Sequence, residues 1–388
     1  MDPRDNPYSP GAGRRPVVLI GREAQLETWD VALSRIAAGR DAQSMVLYGL
    51  RGVGKTVLLT QLALLARSQG WIVAQTEARA GTSIREAIGE SLHGLLLQLA
   101  RPGVGKRILT AVKTALSFKA SYDTTGVWHF GVDLSGAEGG GADTGTLETD
   151  LGRLFMDLAG AADERGTGVA LLIDEAQDLS PQELTTLCSL VHGANQRGER
   201  LLVALAGLPS LPRQLAEARS YAERLFTYHE VGILNHDESC AVLTEPAQAQ
   251  SVRWSRAALA RVTAAAGGYP YFLQEFGQDT WNAAAKSPIT DTDARVGIAQ
   301  GVVALDAGFF RIRWDRASRL ERAYLAAMAV DGAGPSSTGV IAERLGKKPS
   351  TTSPARAQLI AKGLVYAPEH GLIAFTVPAM AEFILRQS

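Results

Sequence analysis

The chain has 388 residues, 46% of them hydrophobic and 20% charged, enough for two or three domains with sizeable cores, and its composition excludes a disordered or fibrous chain. A net charge of −1 excludes a uniformly basic surface, so any face for nucleic acid has to be local. Cys188 and Cys240 are the only cysteines and form no C-x-x-C pair, no apolar run reaches the roughly 18 residues of a membrane span, and the polar start lacks a secretion signal's apolar core; this argues against a disulfide framework, a zinc site and membrane insertion, and fits a cytoplasmic protein.

The opening MDPRDNPYSPGAGRR reads as a flexible tail over 1–15. PVVLIGRE and a helix-like AQLETWDVALSRIAAG follow. Met45 to Tyr48 has the length and apolarity of a buried strand and runs into GLRGVGKT, where Gly49, Gly54, Lys55 and Thr56 complete G-x-x-x-x-G-K-[ST] ahead of a helix closed by Gly70. The spacing has a chemical reason. Backbone N–H groups through Gly52, Val53 and Gly54, with the helix N-terminus, converge on a β-phosphate; Lys55 spans the β- and γ-phosphates, and Thr56 offers a hydroxyl to Mg²⁺. A second GVGK at 103–106 has Ala100 in place of the first glycine, Arg107 in place of the hydroxyl, and a helical pattern upstream. It reads as a helix stop followed by a new start.

WIVAQTEA is β-rich and SIREAIGESLHGLLLQLA helical. Residues 101–146 form an irregular insert: a basic amphipathic segment in which no acid offsets Arg101, Lys106, Arg107, Lys113 and Lys119, then the glycine-rich GAEGGGADTG, read as a flexible loop. Helical LETDLGRLFMDLAGAADERG leads into VALLIDEAQDL. Val169 to Ile173 is apolar throughout, as a strand buried on both faces is, and Asp174 and Glu175 emerge at its carboxyl end, where open α/β sheets bind ligands. There Asp174 would hold Mg²⁺ and Glu175 would polarise an attacking water. A helix capped by Ser180 with Pro181 at its first position precedes a third buried strand, RLLVALAGLP, after which SYAERLFTYHEVGIL leaves the sheet. This alternation predicts an α/β fold, a parallel sheet with helices on both faces. Helical patterns then continue to about residue 315.

From Arg316 the character changes. SRLERAYLAAMA and TGVIAERLG read as helices, and Ser353, Pro354 and Gly363 frame a third, PARAQLIAK. GLVYAPEHGLIAFTVP gives two β-rich runs around a His370-Gly371 turn. Three helices and a hairpin are a winged-helix arrangement. Residues 316–388 carry nine Lys or Arg against five acids, a local charge of about +4. The candidates for duplex DNA contact are Lys347, Lys348, Thr352, Arg356, Lys362 and His370. A protein-docking module is the alternative.

With IGRE, the loop 49–56, LLIDEAQ and the terminal KGLVYAP and AFTVP, the sequence from Val17 onward resembles AAA+ ATPases of the replication-initiator-like, origin-recognition-type clade. The resemblance implies a P-loop ATPase core over 16–232, an α-helical lid over 233–315 and a winged-helix domain over 316–388. It implies ATP and Mg²⁺ as cofactors, backbone around Ile20 and Gly21 meeting adenine, a nucleotide-dependent homo-oligomer, and Arg224, with Arg219 in reserve, reaching a neighbour's γ-phosphate. Two departures stand out. VALAGLPSL has no Asn or Thr at the strand tip, and the lid offers GGYP instead of a sensing arginine. Gly268, Tyr269 and Pro270 look like the G-x-P signature of STAND signalling ATPases, in which Tyr269 and Pro270 would pack on adenine. Slow hydrolysis and switch-like behaviour follow from that likeness, and a STAND-like signalling or scaffold ATPase is the rival reading.

Overall fold

The computed structural model describes residues 1–387 except 12, 15, 80, 100–105 and 121–139. Strands β1 (Ser44–Tyr48), β2 (Ile72–Glu77), β3 (Val169–Asp174), β4 (Leu201–Gly207) and β5 (Phe226–Glu230) form one parallel sheet in the order β2-β3-β4-β1-β5. Every residue of β3 and β4 is buried. These central strands have no solvent face toward which to alternate, hence their unbroken apolar runs.

The two faces of the sheet belong to two cores. Helices α1 (Glu23–Ala37) and α2 (Lys55–Ser68) cover one face, packing Trp29, Leu33, Leu58 and Leu62 against Met45, Leu47, Leu172 and Ala204. The other is covered by α3 (Ile84–Leu99), α4 (Lys106–Ala120), α5 (Leu147–Asp163), α6 (Pro181–Arg197), α7 (Leu211–Ala218) and the short α8 (Ala222–Leu225). Within the basic insert, α4 buries Ile108, Ala111, Val112, Ala115 and Phe118 in that core. Arg107 is paired with Asp163 at 3.3 Å, an acid that the local sequence window does not contain. Arg101 and most of the second GVGK, 103–105, lie outside the described residues; Lys106 opens α4.

One expectation is corrected at the sheet edge. Phe226–Glu230 stays in the sheet as β5, paired in parallel with β1 from Ser44↔Phe226 to Tyr48↔Glu230. Its FTYHE sequence is too polar to resemble the buried strands because an edge strand has one neighbour and half-exposed residues.

A helical segment follows, with α9 (His236–Ala249), α10 (Arg256–Ala266), α11 (Pro270–Ala283), α12 (Asp291–Ala304), a π turn over Leu305–Phe310 and α13 (Arg311–Asp315). The first ten residues, read above as part of a free tail, are packed on it. Tyr8 is 2% exposed, its hydroxyl accepts from Trp254 Nε1 at 2.9 Å, and Asn6 Nδ2 donates to Gln278 O at 3.0 Å. One buried aromatic anchors a segment whose Pro and Gly content points to mobility.

The remainder comprises α14 (Arg319–Ala329), β6 (Ser336–Ser337), α15 (Thr338–Arg344), α16 (Pro349–Ala361), β7 (Val365–Tyr366), β8 (Leu372–Phe375) and α17 (Met380–Gln387), with a small antiparallel sheet in the order β6-β8-β7. Helix α16 begins five residues earlier than its sequence signals indicate. Pro349 takes the first position and Lys348 the cap, while Ser353 Oγ donates back to Pro349 O at 2.9 Å. Pro354 sits inside the helix at the loss of one backbone bond. Among the described residues no helix is long and apolar enough to cross a membrane.

Candidate active site

The carboxyl ends of β1 and β3 deliver the motif residues to one place. Thr56 at the start of α2 and Asp174 at the end of β3 are 118 positions apart, and the Thr56 hydroxyl donates to Asp174 Oδ2 at 2.6 Å. Lys55 is 7% exposed, and its ammonium donates to Gly49 O at 3.0 Å and Leu50 O at 2.8 Å. Burial pushes that ammonium down to about 8, against the pull of Glu175 and Asp174. Burial likewise pushes the Asp174 carboxyl above its ordinary range. A hydroxyl and a carboxylate are hard oxygen donors, and Mg²⁺ binds through one or two such groups plus phosphate oxygens and water. The pair fits that ion.

Glu175 turns on a left-handed backbone (φ 49°), a costly conformation for a side-chain-bearing residue. Its Oε1 accepts from Arg51 Nη1 at 2.8 Å and its Oε2 from Gln177 Nε2 at 2.6 Å. Gln177 also accepts from the backbone N–H of Leu208 at 2.9 Å. It thus puts a polar group at the tip of β4, where the strand's own sequence offers none. A second unforeseen organiser is Arg22 of IGRE. The residue is 6% exposed, and its guanidinium donates to Gly21 O at 2.9 Å, Val53 O at 3.1 Å and Gly232 O at 2.7 Å, pinning the box to the phosphate loop.

These groups open on a cavity of about 510 Å³, ordinary for a small-molecule site. Val18, Ile20, Leu234, Pro270, Tyr271 and Phe309 line its apolar part and residues 51–57 its polar part. Five cations, Arg14, Arg22, Arg51, Lys55 and Arg313, face two acids, Glu175 and Glu275, so the cavity favours a polyanion. Arg313 was not legible as a site residue. Its guanidinium lies 4.0 Å from the centre of the Phe309 ring, and it has no carboxylate within salt-bridge distance among the described residues.

A family model described as "AAA ATPase domain" matches residues 18–204. Residues 18–204 are thus similar to AAA ATPase domains. A second model, "Domain of unknown function (DUF8462)", matches residues 307–384. No curated protein matches the chain. In fold, the chain is similar to the Walker-type ATPase Paby2304 of Pyrococcus abyssi, at 16% identity, with 96% of this chain and 97% of that one covered and a TM-score of 0.57. It is also similar to the ORC2 protein of Aeropyrum pernix in its ADP form, at 13% identity, with 100% and 98% covered and a TM-score of 0.53.

Within the ATPase domain, Gly49, Gly52, Val53, Gly54, Lys55, Thr56, Asp174 and Glu175 come together as expected from their motifs. Ile20 lines the cavity, while Gly21 is held beside it by Arg22. Tyr269 differs from expectation. It is 2% exposed, and its hydroxyl lies 3.0 Å from where a Cβ on Gly52 would be. It therefore backs the phosphate loop, and Pro270 and Tyr271 face the cavity. Arg224 is exposed near the amino end of β5, across the sheet from the phosphate loop and out of reach of its own chain's site. Arg219 has a buried Nε without a hydrogen-bond partner among the described residues.

The candidates for DNA contact separate. Lys347 and Lys348 are exposed. Thr352 is buried and bonded to Pro349 O at 3.0 Å. The Lys362 ammonium donates to buried Glu321 at 2.6 Å and to Arg316 O at 3.0 Å, a fixed structural pairing. Arg356 and His370 line a cleft of about 620 Å³ whose opposite wall is Gln177, Asp178, Leu208 and Gln214, beside and beyond the end of β4. That face of α16 is therefore turned inward.

Proposed function

We propose that the protein is an ATP-driven molecular switch that binds Mg·ATP in the cavity beneath the phosphate loop and hydrolyses it slowly. The observation that carries this reading is the convergence of Lys55, Thr56, Asp174 and Glu175 from two separate strand ends on one cationic cavity. Lys55 and the loop's N–H groups bind the β- and γ-phosphates, and Thr56 and Asp174 hold Mg²⁺, which when bound neutralises phosphate charge. Glu175 accepts a proton from the attacking water, oriented by Gln177. Apolar walls from Val18 to Phe309 take the base. The lid's GGYP contributes no charge, and slow turnover by an isolated subunit follows. An arginine presented by a neighbour, Arg224, supplies the missing transition-state charge, so assembly and hydrolysis rise together. Replacing Glu175 by Gln tests the chemistry: nucleotide affinity stays within about threefold while turnover falls about 10²- to 10⁴-fold. Parental turnover in Glu175→Gln would overturn the assignment.

The C-terminal domain, winged-helix-like in its element order, is the switched part. Arg356, turned into the cleft, favours docking on the ATPase domain in this arrangement. Binding of duplex DNA is the second reading. Exposed Lys347 and Lys348 and the local positive charge favour it, and it requires the domain to swing outward before Arg356 reaches a phosphate. The salt dependence of binding to random duplex decides, since neutralising several phosphates makes affinity fall steeply with salt.

A further inference from the structure

Arg51, the third residue of the phosphate loop, makes contacts that nucleotide binding alone does not require. Its guanidinium holds Glu175 at 2.8 Å. Its backbone N–H donates to Thr376 O at 3.0 Å, just past β8 of the C-terminal domain. Gly363 presents bare backbone to the same side chain: a Cβ there would stand 3.0 Å from Arg51 Nη2. One residue thus touches the phosphate loop, the water-activating carboxylate and the C-terminal domain. Resting on the ATPase reading above, we propose that Arg51 is a positioning residue that senses the third phosphate of ATP, exchanging Glu175 for the phosphate and thereby freeing both Glu175 and the C-terminal domain.

Charge decides the direction of the exchange. Side chains of Arg51 and Glu175 are 29% and 21% exposed, so their single bond is partly screened and modest. A terminal phosphate beside Lys55 carries more negative charge than one carboxylate and offers three oxygens, and arginine forms its strongest, forked hydrogen bonds to such groups. Arg313 strengthens the pull, because its guanidinium shares the cavity wall with Arg51 and an anion between them relieves their repulsion. Burial and Arg51 together hold the Arg313 guanidinium below its ordinary value. Once Arg51 turns to the phosphate, Glu175 keeps, among the described residues, only its side-chain bond to Gln177, which points it without neutralising it. The C-terminal domain at the same time loses the guanidinium beside Gly363. ADP lacks the third phosphate and leaves the Arg51–Glu175 pair in place. The domain movement is therefore specific to the triphosphate.

The test compares a non-hydrolysable ATP analogue with ADP on the full chain. Arg51→Ala is expected to weaken the analogue by roughly 10- to 100-fold and to leave ADP within about threefold, a split that a merely structural role for Arg51 would not produce. In the parent, hydrogen exchange of the 363–377 segment is faster with the analogue than with ADP, and in Arg51→Ala the two nucleotides give equal exchange. Retained triphosphate preference in Arg51→Ala, or equal exchange for both nucleotides in the parent, would overturn the proposal. Loss of both nucleotides from Arg51→Ala would overturn it too, by showing that Arg51 only shapes the loop. A parent that binds neither nucleotide would instead bring down the ATPase reading itself.

Discussion

Gly267 and Gly268 sit side by side with left-handed backbones, at φ 56° and 74°, yet the structure predicts different penalties for placing alanine at each. A side chain at either position meets the general penalty for that conformation, about 1–2 kcal/mol. At Gly267 a Cβ meets nothing within 4 Å, so the penalty stops there. At Gly268 the Cβ would stand 2.2 Å from Leu234 O, a backbone atom that cannot rotate away. The Leu234 N–H to Gly268 O bond of 2.8 Å that ties the start of the helical segment to α10 then has to part. Losing that bond costs about 0.5–1.5 kcal/mol and overpacking about 1–3 kcal/mol, so Gly268→Ala should exceed Gly267→Ala by roughly 1.5–4.5 kcal/mol. Urea unfolding followed by tryptophan fluorescence measures the difference. Nucleotide affinity supplies a second readout, because moving Gly268 pulls Tyr269 off Gly52, and Gly268→Ala alone should weaken ADP. Equal loss of stability in the two variants would refute the reasoning.

Other predictions concern charge. The folded Lys55 ammonium titrates near 8 against an ordinary 10.5, so between those values the unfolded chain holds a proton that the folded one has lost; stability of the nucleotide-free protein therefore rises with pH there, by up to about 1.4 kcal/mol per unit. Lys55→Met should lack this part of the rise when Tm is followed from pH 7 to about 10. Arg224→Ala should abolish any increase of turnover per subunit with protein concentration while leaving ATP affinity of the dilute protein unchanged; a flat parental line with no larger species in light scattering would reject Arg224 as a group acting on a neighbour. Replacing Lys347 and Lys348 together by Gln should reduce the salt slope of duplex binding by about 2. Lys362→Gln should lower thermal stability with the slope unchanged, since its ammonium is committed to Glu321.

The nucleotide motifs were legible because their function fixes residue type and spacing at once. The phosphate loop needs its glycines, lysine and hydroxyl in one short window, and the acidic pair needs a buried strand before it. The central strands declared themselves through unbroken apolar runs for the same reason of complete burial. What stayed hidden depends on partners distant in sequence. Gln177 replaces the polar tip missing from β4 only because the 3₁₀ turn after Glu175 carries it beside Leu208. Arg313 faces the cavity because a π turn precedes α13, and no local pattern announces that rotation. Edge strand β5 and anchored Tyr8 escaped because polar composition and Pro-Gly content describe local tendency, and burial against a remote surface overrides it. For Lys362, a basic residue in the right helix read as a nucleic-acid contact until Glu321, 41 positions away, proved to be its partner.

The central claim is that the first GVGK, and not the second, holds the phosphates of ATP. Calorimetric titration of Mg·ATP into the parent, Lys55→Ala and Lys106→Ala tests it most directly. The account predicts that Lys106→Ala, altered at the exposed start of α4, binds within about threefold of the parent, and that Lys55→Ala, stripped of the loop's own ammonium, loses roughly 100-fold or more. Undiminished binding by Lys55→Ala, or a loss of that size from Lys106→Ala, would contradict it.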